Sequence, residues 1–310
     1  MALCLVLASC AGRVSQNANT HTDAVTPEST LTPLRIVTDD LDRRVTVPTK
    51  ITRVVSLAPS VTESIFAVGA GDRLVGVTTF CNYPEEAKTI QKVGDTLNPN
   101  IETIVALKPD VVFVSSASQL ESFMNTLDKN GITVYVSNPI SFRDLYTELR
   151  KFGLMFGTDE KANSVASELE KRELILRERL GTLPVLDGPS MDLSRVFIQI
   201  SKEPLFTIGQ DAFLNNVLIA AGGVSVTRTV PSAFPKLSKE TALALQPEAI
   251  ILSDSPDNQE PNEVFKNSPA VKNGRVYKIN ADIISRPGPR LIDALEEIAR
   301  DLHPEKFQNN

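Results

Sequence analysis

The sequence predicts an α/β protein made of two lobes of like topology, joined by a long helix and separated by a cleft. Apolar runs of strand length alternate with helical segments, a helical pattern of about six turns lies near the middle, and one segment recurs about 140 residues later. With 310 residues, 42% hydrophobic and 23% charged, the chain has a globular composition and enough length to bury a core.

The charge and the scarce metal-binding residues exclude several functions. The net charge is −6, and no basic stripe is present that could neutralise phosphates, so we expect no nucleic-acid partner. The histidines are His21 and His303 and the cysteines are Cys4, Cys10 and Cys81, too few and too scattered for most soft-metal or histidine-dependent chemistry. We therefore expect no metal site, no catalytic residues and no resident cofactor.

Residues 1–10 are predicted to be a lipoprotein signal that ends at Cys10, the lipidation site. The residues Leu7-Ala8-Ser9-Cys10 resemble a bacterial lipobox, and the preceding apolar run is too short to span a bilayer. A signal normally opens with basic residues, which are missing here, so we expect the true start to lie upstream. The alternative is an apolar N-terminus with an incidental cysteine. If Cys4 and Cys10 belong to the leader, Cys81 has no intrachain disulfide partner.

Residues 11–33 are rich in Ser, Thr, Asn and Gln and lack aromatic residues, which predicts a flexible tether. Two short strands follow, Arg35–Thr38 and Arg44–Val47, around the acidic turn Asp39-Asp40-Leu41-Asp42. The turn lacks the central Gly and terminal Glu of a calcium loop, so we expect a solvated hairpin.

The N-terminal lobe is predicted over residues 34–140 and the C-terminal lobe over residues 182–303, with a tail at 304–310. A helical segment, residues 141–181, separates them, and its second helix is expected to begin at the N-cap Thr158 and end before Gly181. Buried strands are predicted at Val54–Leu57, Leu74–Val77, Val111–Val114, Ile132–Val136, Val196–Ile200, Ala249–Leu252 and Val276–Ile279.

The strongest evidence for two like lobes is an internal repeat. The segment NIETIVALKPDVVFVS begins at Asn100 and SKETALALQPEAIILS begins at Ser238; six of the sixteen positions are identical. Both segments predict a polar cap, a helix, a Pro break and a buried strand. A second pair, Lys-Asn-Gly at 129–131 and at 272–274, precedes a strand in each half.

Six segments carry a resemblance to a known family: RVVSLAPSVTESIFAVGAGDRLVGV, NYPEEA, NIETIVALKPD, PLFT, SAFPKLSKE and SRPGPRLIDALEEIA. In order and spacing they are similar to the cobalamin and iron-siderophore class of periplasmic binding proteins, which serve ABC importers. The resemblance covers nearly the whole folded part of the chain. It implies two Rossmann-like lobes with mostly parallel sheets, bridged by one rigid helix, with the ligand in a shallow cleft.

The resemblance also implies site residues. Ligand-contacting aromatic positions correspond to Tyr83, Phe206 and Phe234, and the acidic hydrogen-bonding position corresponds to Asp282. Arg286 is a candidate for an anionic ligand, although packing on the following helix is an equal alternative. Core packing is likewise the alternative for both phenylalanines. The chain has no Trp, so the pocket is expected to be less aromatic than in many cobalamin binders of the class.

Glu102 and Glu240 occupy matching places in the repeat. In the resembling class these positions dock onto arginine pockets of the two permease subunits, and one carboxylate per lobe suits a two-fold partner. The alternative is a carboxylate that favours a helix N-terminus.

The sequence therefore predicts a monomeric substrate-binding lipoprotein, anchored on the periplasmic or outer side of a membrane. It would carry a corrinoid to a permease dimer with its ATPase subunits. A ferric siderophore or haem is the alternative ligand, and a chelatase-like enzyme or a purely structural lipoprotein is the alternative class.

Gly69-Ala70-Gly71 is not a dinucleotide motif, because Leu74 replaces the third glycine and a helix precedes the stretch.

Overall fold

The computed structural model describes residues 33–115, 120–181 and 193–308. Its strands are β1 Leu34–Thr38, β2 Arg44–Pro48, β3 Val54–Ser56, β4 Leu74–Val77, β5 Val111–Ser115, β6 Val134–Ser137, β7 Ser194–Ser201, β8 Phe206–Thr207, β9 Gly223–Ser225, β10 Ala249–Asp254 and β11 Val276–Asn280. Its helices are α1 Pro59–Ala67, α2 Ile101–Ala106, α3 Leu120–Lys129, α4 Phe142–Phe156, α5 Asp159–Leu180, α6 Leu214–Ala220, α7 Lys239–Leu245, α8 Pro269–Lys272, α9 Ala281–Ile284 and α10 Leu291–Leu302.

Each lobe contains one mostly parallel sheet, which confirms the predicted fold class. The N-terminal sheet has the order β4-β3-β5-β6 with all pairs parallel. The C-terminal sheet has the order β11-β10-β7-β8; β9 also pairs with β7, and β8 alone is antiparallel. The sequence analysis missed β8 and β9 because strands of two or three residues are too short to show a period.

The internal repeat is a repeat of structure. Asn100 and Ser238 cap α2 and α7, and each side chain accepts a hydrogen bond from the backbone N–H three residues later. Lys108 and Gln246, at equivalent positions just after these helices, both have positive φ angles, 48° and 43°. A proline then leads into β5 or β10, so the chain enters two central strands in the same way, at their amino ends.

Each lobe has one arginine at an equivalent position. Arg53 donates to the carbonyl of Leu107 at the end of α2, and Arg195 donates to the carbonyl of Leu245 at the end of α7. These contacts tie each capped helix to the start of its sheet, so the matching surface helices have matching supports.

Helices α4 and α5 bridge the lobes and share one apolar core with both. Buried residues of this core come from the N-terminal sheet, from α4 and α5, and from the C-terminal helices α6 and α10. Arg172 of α5 also contacts Asp293 and Glu296 of α10, at 2.7 and 2.9 Å. Because the core continues through the bridge, the lobes are expected to move little relative to one another.

The ends of α5 agree with the sequence, except for the cap. Gly181 has the left-handed conformation expected after a helix, and Thr158 occupies the N-cap position. Its hydroxyl, however, caps no backbone N–H and lacks a hydrogen-bond partner among the described residues. Thr158 is therefore the N-cap residue by position, as predicted, but its side chain does not stabilise the helix end.

The acidic turn between β1 and β2 is not solvated as predicted. Asp39 is 1% exposed and accepts hydrogen bonds from Arg43 and from the backbone N–H of Leu41. Asp40 accepts from Lys151 of α4 at 2.8 Å. The two carboxylates are therefore anchors that fix the hairpin on the N-terminal lobe.

The proposed signal with Cys10 and all but residue 33 of the proposed tether lie outside the described residues, as do residues 182–192. Across the residues that are described, no helix is both long and apolar enough to cross a membrane.

Candidate functional site

A cavity of about 360 Å³ lies between the two lobes. It opens at the carboxyl ends of β3, β5 and β6, where α/β sheets place their ligands. Loops of the C-terminal lobe close its other side. The lining residues are Ala58, Pro59, Ser60, Thr96, Ser115, Ser137, Asn138, Pro139, Ile140, Asp211, Ala212, Phe213, Leu214, Ala233, Phe234, Ile284, Ser285, Arg286, Pro287 and Leu291.

The chemistry of this lining is apolar, with hydroxyl and amide groups between the apolar side chains. Asp211 and Arg286 are its only charged residues within the part of the chain that the structure describes, and His, Tyr, Cys and Met are missing from it. No group of three or more potential metal ligands occurs among the described residues either. Such a lining suits a ligand that brings its own coordinated metal or has none, because the described lining residues include no His, Tyr, Cys or Met to serve as an axial ligand.

Exposed apolar side chains surround the cavity mouth. Ile140 and Phe234 line it and are 62% and 50% exposed, and Leu97, beside the lining residue Thr96, is 66% exposed. Large exposed apolar side chains at a concave site favour ligand contact, because a ligand would remove them from water. The sequence analysis missed Ile140 and Phe213. Ile140 lies three residues after β6, a strand that the sequence predicts, and this position could have identified it; Phe213 follows β8, which is too short to show a period.

The structure brings some predicted ligand residues together and separates others. Phe234 and Arg286 line the cavity. Asp282 and Tyr83 lie beside it. Asp282 accepts a hydrogen bond from Arg286, and the guanidinium of Arg290 lies over the ring of Tyr83. Phe206 lies in β8, half-buried and paired with β7, and is not part of the lining. Its ligand role stays a prediction without geometric support.

A buried ion-pair cluster joins the lobes below the cavity. Glu63 of α1, 3% exposed, accepts from Arg286 at 3.0 Å and from Arg290 at 2.6 and 2.9 Å. The guanidinium of Arg290 also lies over the ring of Tyr83, 4.0 Å from its centroid. The hydrogen bonds that Arg290 donates to Glu63 raise the pKa of Arg290 above its ordinary value. We call Glu63, Arg286 and Arg290 the interlobe clasp.

Asn82 and Asp282 extend the clasp to the surface. Arg286 donates to Asp282 at 2.5 Å and to Asn82 at 2.8 Å, and Asn82 donates to Asp282 at 2.7 Å. The guanidinium of Arg286 is therefore already held by groups of this chain. Arg286 is better placed to orient Asp282 than to neutralise an anionic ligand.

A buried carboxyl group lies behind the cavity wall. Glu148 of α4 is 1% exposed and accepts from the hydroxyl of Ser137, a lining residue. Burial raises the pKa of Glu148 to about 8, with a further contribution from Asp40, while Ser137 and Lys151 act in the opposite direction. Glu148 is therefore mostly protonated at neutral pH.

This shift predicts a pH dependence of stability. Between the ordinary pKa of 4.5 and the folded value of about 8, the folded state binds the proton and the unfolded state releases it. Raising the pH through this range should therefore destabilise the protein, by at most about 1.4 kcal/mol per pH unit. Urea unfolding at several pH values should show this slope in wild type and lose it in Glu148→Gln. The exposed control Glu160→Gln should keep it, and parallel curves for wild type and Glu148→Gln would contradict the assignment.

Glu102 and Glu240 lie in the first turns of α2 and α7, both exposed. Hydrogen bonds from its own backbone N–H and from Ser238 lower the pKa of Glu240. Each lobe thus presents an exposed Glu side chain in the first turn of a capped and supported helix. Leu243, one turn after Glu240 in α7, is 53% exposed.

Two sheets of like topology, a bridging helix pair and an apolar cleft at the strand ends define a two-lobed solute-binding protein. Comparison with known proteins gives the family. The family model described as "Periplasmic binding protein" matches residues 54–283, and the chain belongs to this family. The resemblance drawn from the sequence is confirmed.

Individual relatives agree with this assignment. The chain is 33% identical over 280 residues to an uncharacterized ABC transporter substrate-binding lipoprotein, YvrC, of Bacillus subtilis, covering 88% of this chain and 86% of the relative. It is 31% identical over 251 residues to a vitamin B12-binding protein of Pectobacterium carotovorum, covering 81% and 88%. The crystal structure of the periplasmic vitamin B12-binding protein BtuF of Vibrio cholerae matches with a TM-score of 0.71 at 27% identity, covering 84% and 99%.

Proposed function

We propose that this protein captures a corrinoid in the interlobe cavity and delivers it to an ABC permease. The observation that carries the proposal is the lining of the cavity: apolar side chains, hydroxyls and an amide, with Arg286 as the only cation among the described lining residues and already paired. A corrinoid is large, carries its own cobalt and presents amides at its edge. These groups need apolar contact and neutral hydrogen bonds.

The alternative ligands fit this lining less well. Haem needs an axial ligand such as His or Tyr, and neither type lines the described cavity. A strongly anionic ferric siderophore needs free cations, and Arg286 is held by Glu63, Asp282 and Asn82. The relatives named as vitamin B12-binding proteins, at about 30% identity, support the same choice.

The rest of the proposal concerns place and partners. We propose that Cys10 carries a lipid anchor outside the cytoplasm, a position supported by a relative named as a lipoprotein. Glu102 and Glu240 would contact the two permease subunits, and the protein would act as a monomer without a cofactor of its own. Mass spectrometry of the native protein tests the anchor, because a free Cys10 thiol or an intact leader would contradict it.

Isothermal titration with cyanocobalamin, cobinamide, haem and a ferric siderophore tests the ligand. We expect saturable binding of the corrinoids only. Phe234→Ala should weaken corrinoid binding by about tenfold, because the variant loses a large apolar contact at the cavity mouth. The matched control is Leu243→Ala, which removes an equally exposed side chain outside the cavity and should leave binding unchanged. Saturation by a siderophore or haem, with no heat from the corrinoids, would refute the proposed ligand.

A further inference from the structure

The outer face of the β1–β2 hairpin is an unusual surface. Leu34 and Ile36 alternate along β1 and are 63% and 55% exposed. The strand register places Leu34 opposite Pro48 and Ile36 opposite Thr46. On the inner face, Val45 and Val47 of β2 are buried in the main core. The hairpin therefore packs one face on the N-terminal lobe, and its apolar outer face is exposed in the part of the chain that the structure describes.

Two further exposed leucines lie in the hairpin turn or next to the hairpin. Leu41, in the hairpin turn, is 47% exposed. Leu154, near the end of α4, is 64% exposed, and its carbonyl accepts a hydrogen bond from Arg35 of β1 at 3.0 Å. We call Leu34, Ile36, Leu41 and Leu154 the hairpin patch. Such an apolar surface favours contact with another apolar phase.

The charges around the hairpin favour an anionic partner. Its exposed cations are Arg44 and Lys50, and its exposed acid is Asp42. The other two acids of the turn, Asp39 and Asp40, are paired with Arg43 and Lys151. Apolar side chains flanked by cations are typical of surfaces that rest at the boundary between lipid headgroups and acyl chains.

The position of the hairpin patch in the chain favours a membrane as its partner. The segment predicted as a tether, residues 11–33, ends directly before Leu34, so the hairpin is the first folded element after the proposed anchor at Cys10. A flexible segment of this length has a root-mean-square reach of about 25–30 Å. At that distance the effective concentration of lipid is high enough for a weak surface to be occupied.

We propose that the hairpin patch is a membrane-contact surface that lies on anionic lipid and orients the anchored protein. The inference rests on the proposed anchor at Cys10. It adds that the protein has a defined face toward the bilayer when it is not docked on a permease.

The absence of Trp from this chain permits a direct test. The full chain carrying Cys4→Ser is coupled through the Cys10 thiol to a maleimide lipid in phosphatidylglycerol and phosphatidylethanolamine vesicles. Cys81 is buried and stays free. Coupling makes the test independent of natural lipidation, so failure of this proposal is separate from failure of the anchor. Ile36→Trp then supplies a single fluorophore in the patch, and Leu243→Trp is the control, with similar wild-type exposure in the other lobe.

Brominated lipids should quench Ile36→Trp by about twofold or more and leave Leu243→Trp nearly unchanged, because bromine quenches only a fluorophore at the bilayer. Adding Arg44→Glu and Lys50→Glu should reduce the quenching of Ile36→Trp, since it reverses the attraction to anionic lipid. Equal quenching at both positions, or stronger quenching of Leu243→Trp, would overturn the proposal. A concentration-dependent change in Ile36→Trp fluorescence without vesicles would overturn it in favour of contact with a second copy.

Discussion

Glu63→Gln is expected to lower the free energy of unfolding by about 3–5 kcal/mol, because it leaves two arginines without their shared buried carboxylate. The Glu63 side chain is 2% exposed, and the Arg286 and Arg290 side chains are 9% and 18% exposed. Water therefore cannot replace the lost interactions well. Glutamine has nearly the shape of glutamate, so the change tests charge rather than packing.

Urea unfolding monitored by circular dichroism measures this effect. The control is Glu85→Gln, which removes the charge from the exposed Glu85–Lys88 pair and should cost less than about 1 kcal/mol. The Glu63–Arg290 and Glu85–Lys88 pairs are similarly short, at 2.6 and 2.7 Å, but Glu63 is buried and shared by two arginines, whereas Glu85 is exposed and pairs with one lysine. A change within 1 kcal/mol of the control for Glu63→Gln would show that the clasp contributes little to stability.

The double variant Glu102→Arg with Glu240→Arg is expected to abolish transport and leave the ligand affinity near that of wild type. Complementary charge steers two proteins together and fixes their orientation, and reversing both charges makes the encounter repulsive at both contacts. Neither residue lines the cavity, so ligand binding has no reason to change. Uptake assays in cells and titration of the purified variant measure the two effects separately.

The matched control for docking is Glu160→Arg. Glu160 is also exposed in the first turn of a helix, α5, and it has no counterpart in the other lobe. We expect normal uptake with this variant. Each single variant, Glu102→Arg or Glu240→Arg, should reduce uptake less than the pair does. Wild-type uptake by the double variant would exclude these residues from docking.

Much of the fold follows from the sequence alone. Helix α5 begins directly after Thr158 and ends before Gly181, as predicted, because glycine readily adopts the left-handed conformation found there. The paired segments at Asn100 and Ser238 predicted the two like lobes, because a capping residue, a Pro break and an apolar run are local signals.

Other features were decided only by tertiary contacts. The sequence predicted a solvated turn at Asp39, but Arg43 and backbone N–H groups surround this carboxylate in the fold. The sequence analysis made no prediction for Glu148, whose burial depends on how α4 packs. Phe206 and Phe234 were both candidates for ligand contact from the sequence. Phe206 lies in the paired strand β8, whereas Phe234 lines the cavity.

The candidate site likewise contains residues that the sequence suggested and contacts that only the tertiary structure makes. The family resemblance supplied Asp282 as a candidate, and the position of Arg286 beside the Pro287-Gly288-Pro289 turn supplied Arg286. Only the packing of α1 against the loop before α10 brings Glu63 within 3.0 Å of Arg286, across more than 200 residues of sequence. Periodicity, caps and turn residues are local, so the sequence by itself determined the elements and their order. Burial and long-range pairing depend on how the two lobes meet, so only the tertiary structure decided which charges are held and which groups face the cavity.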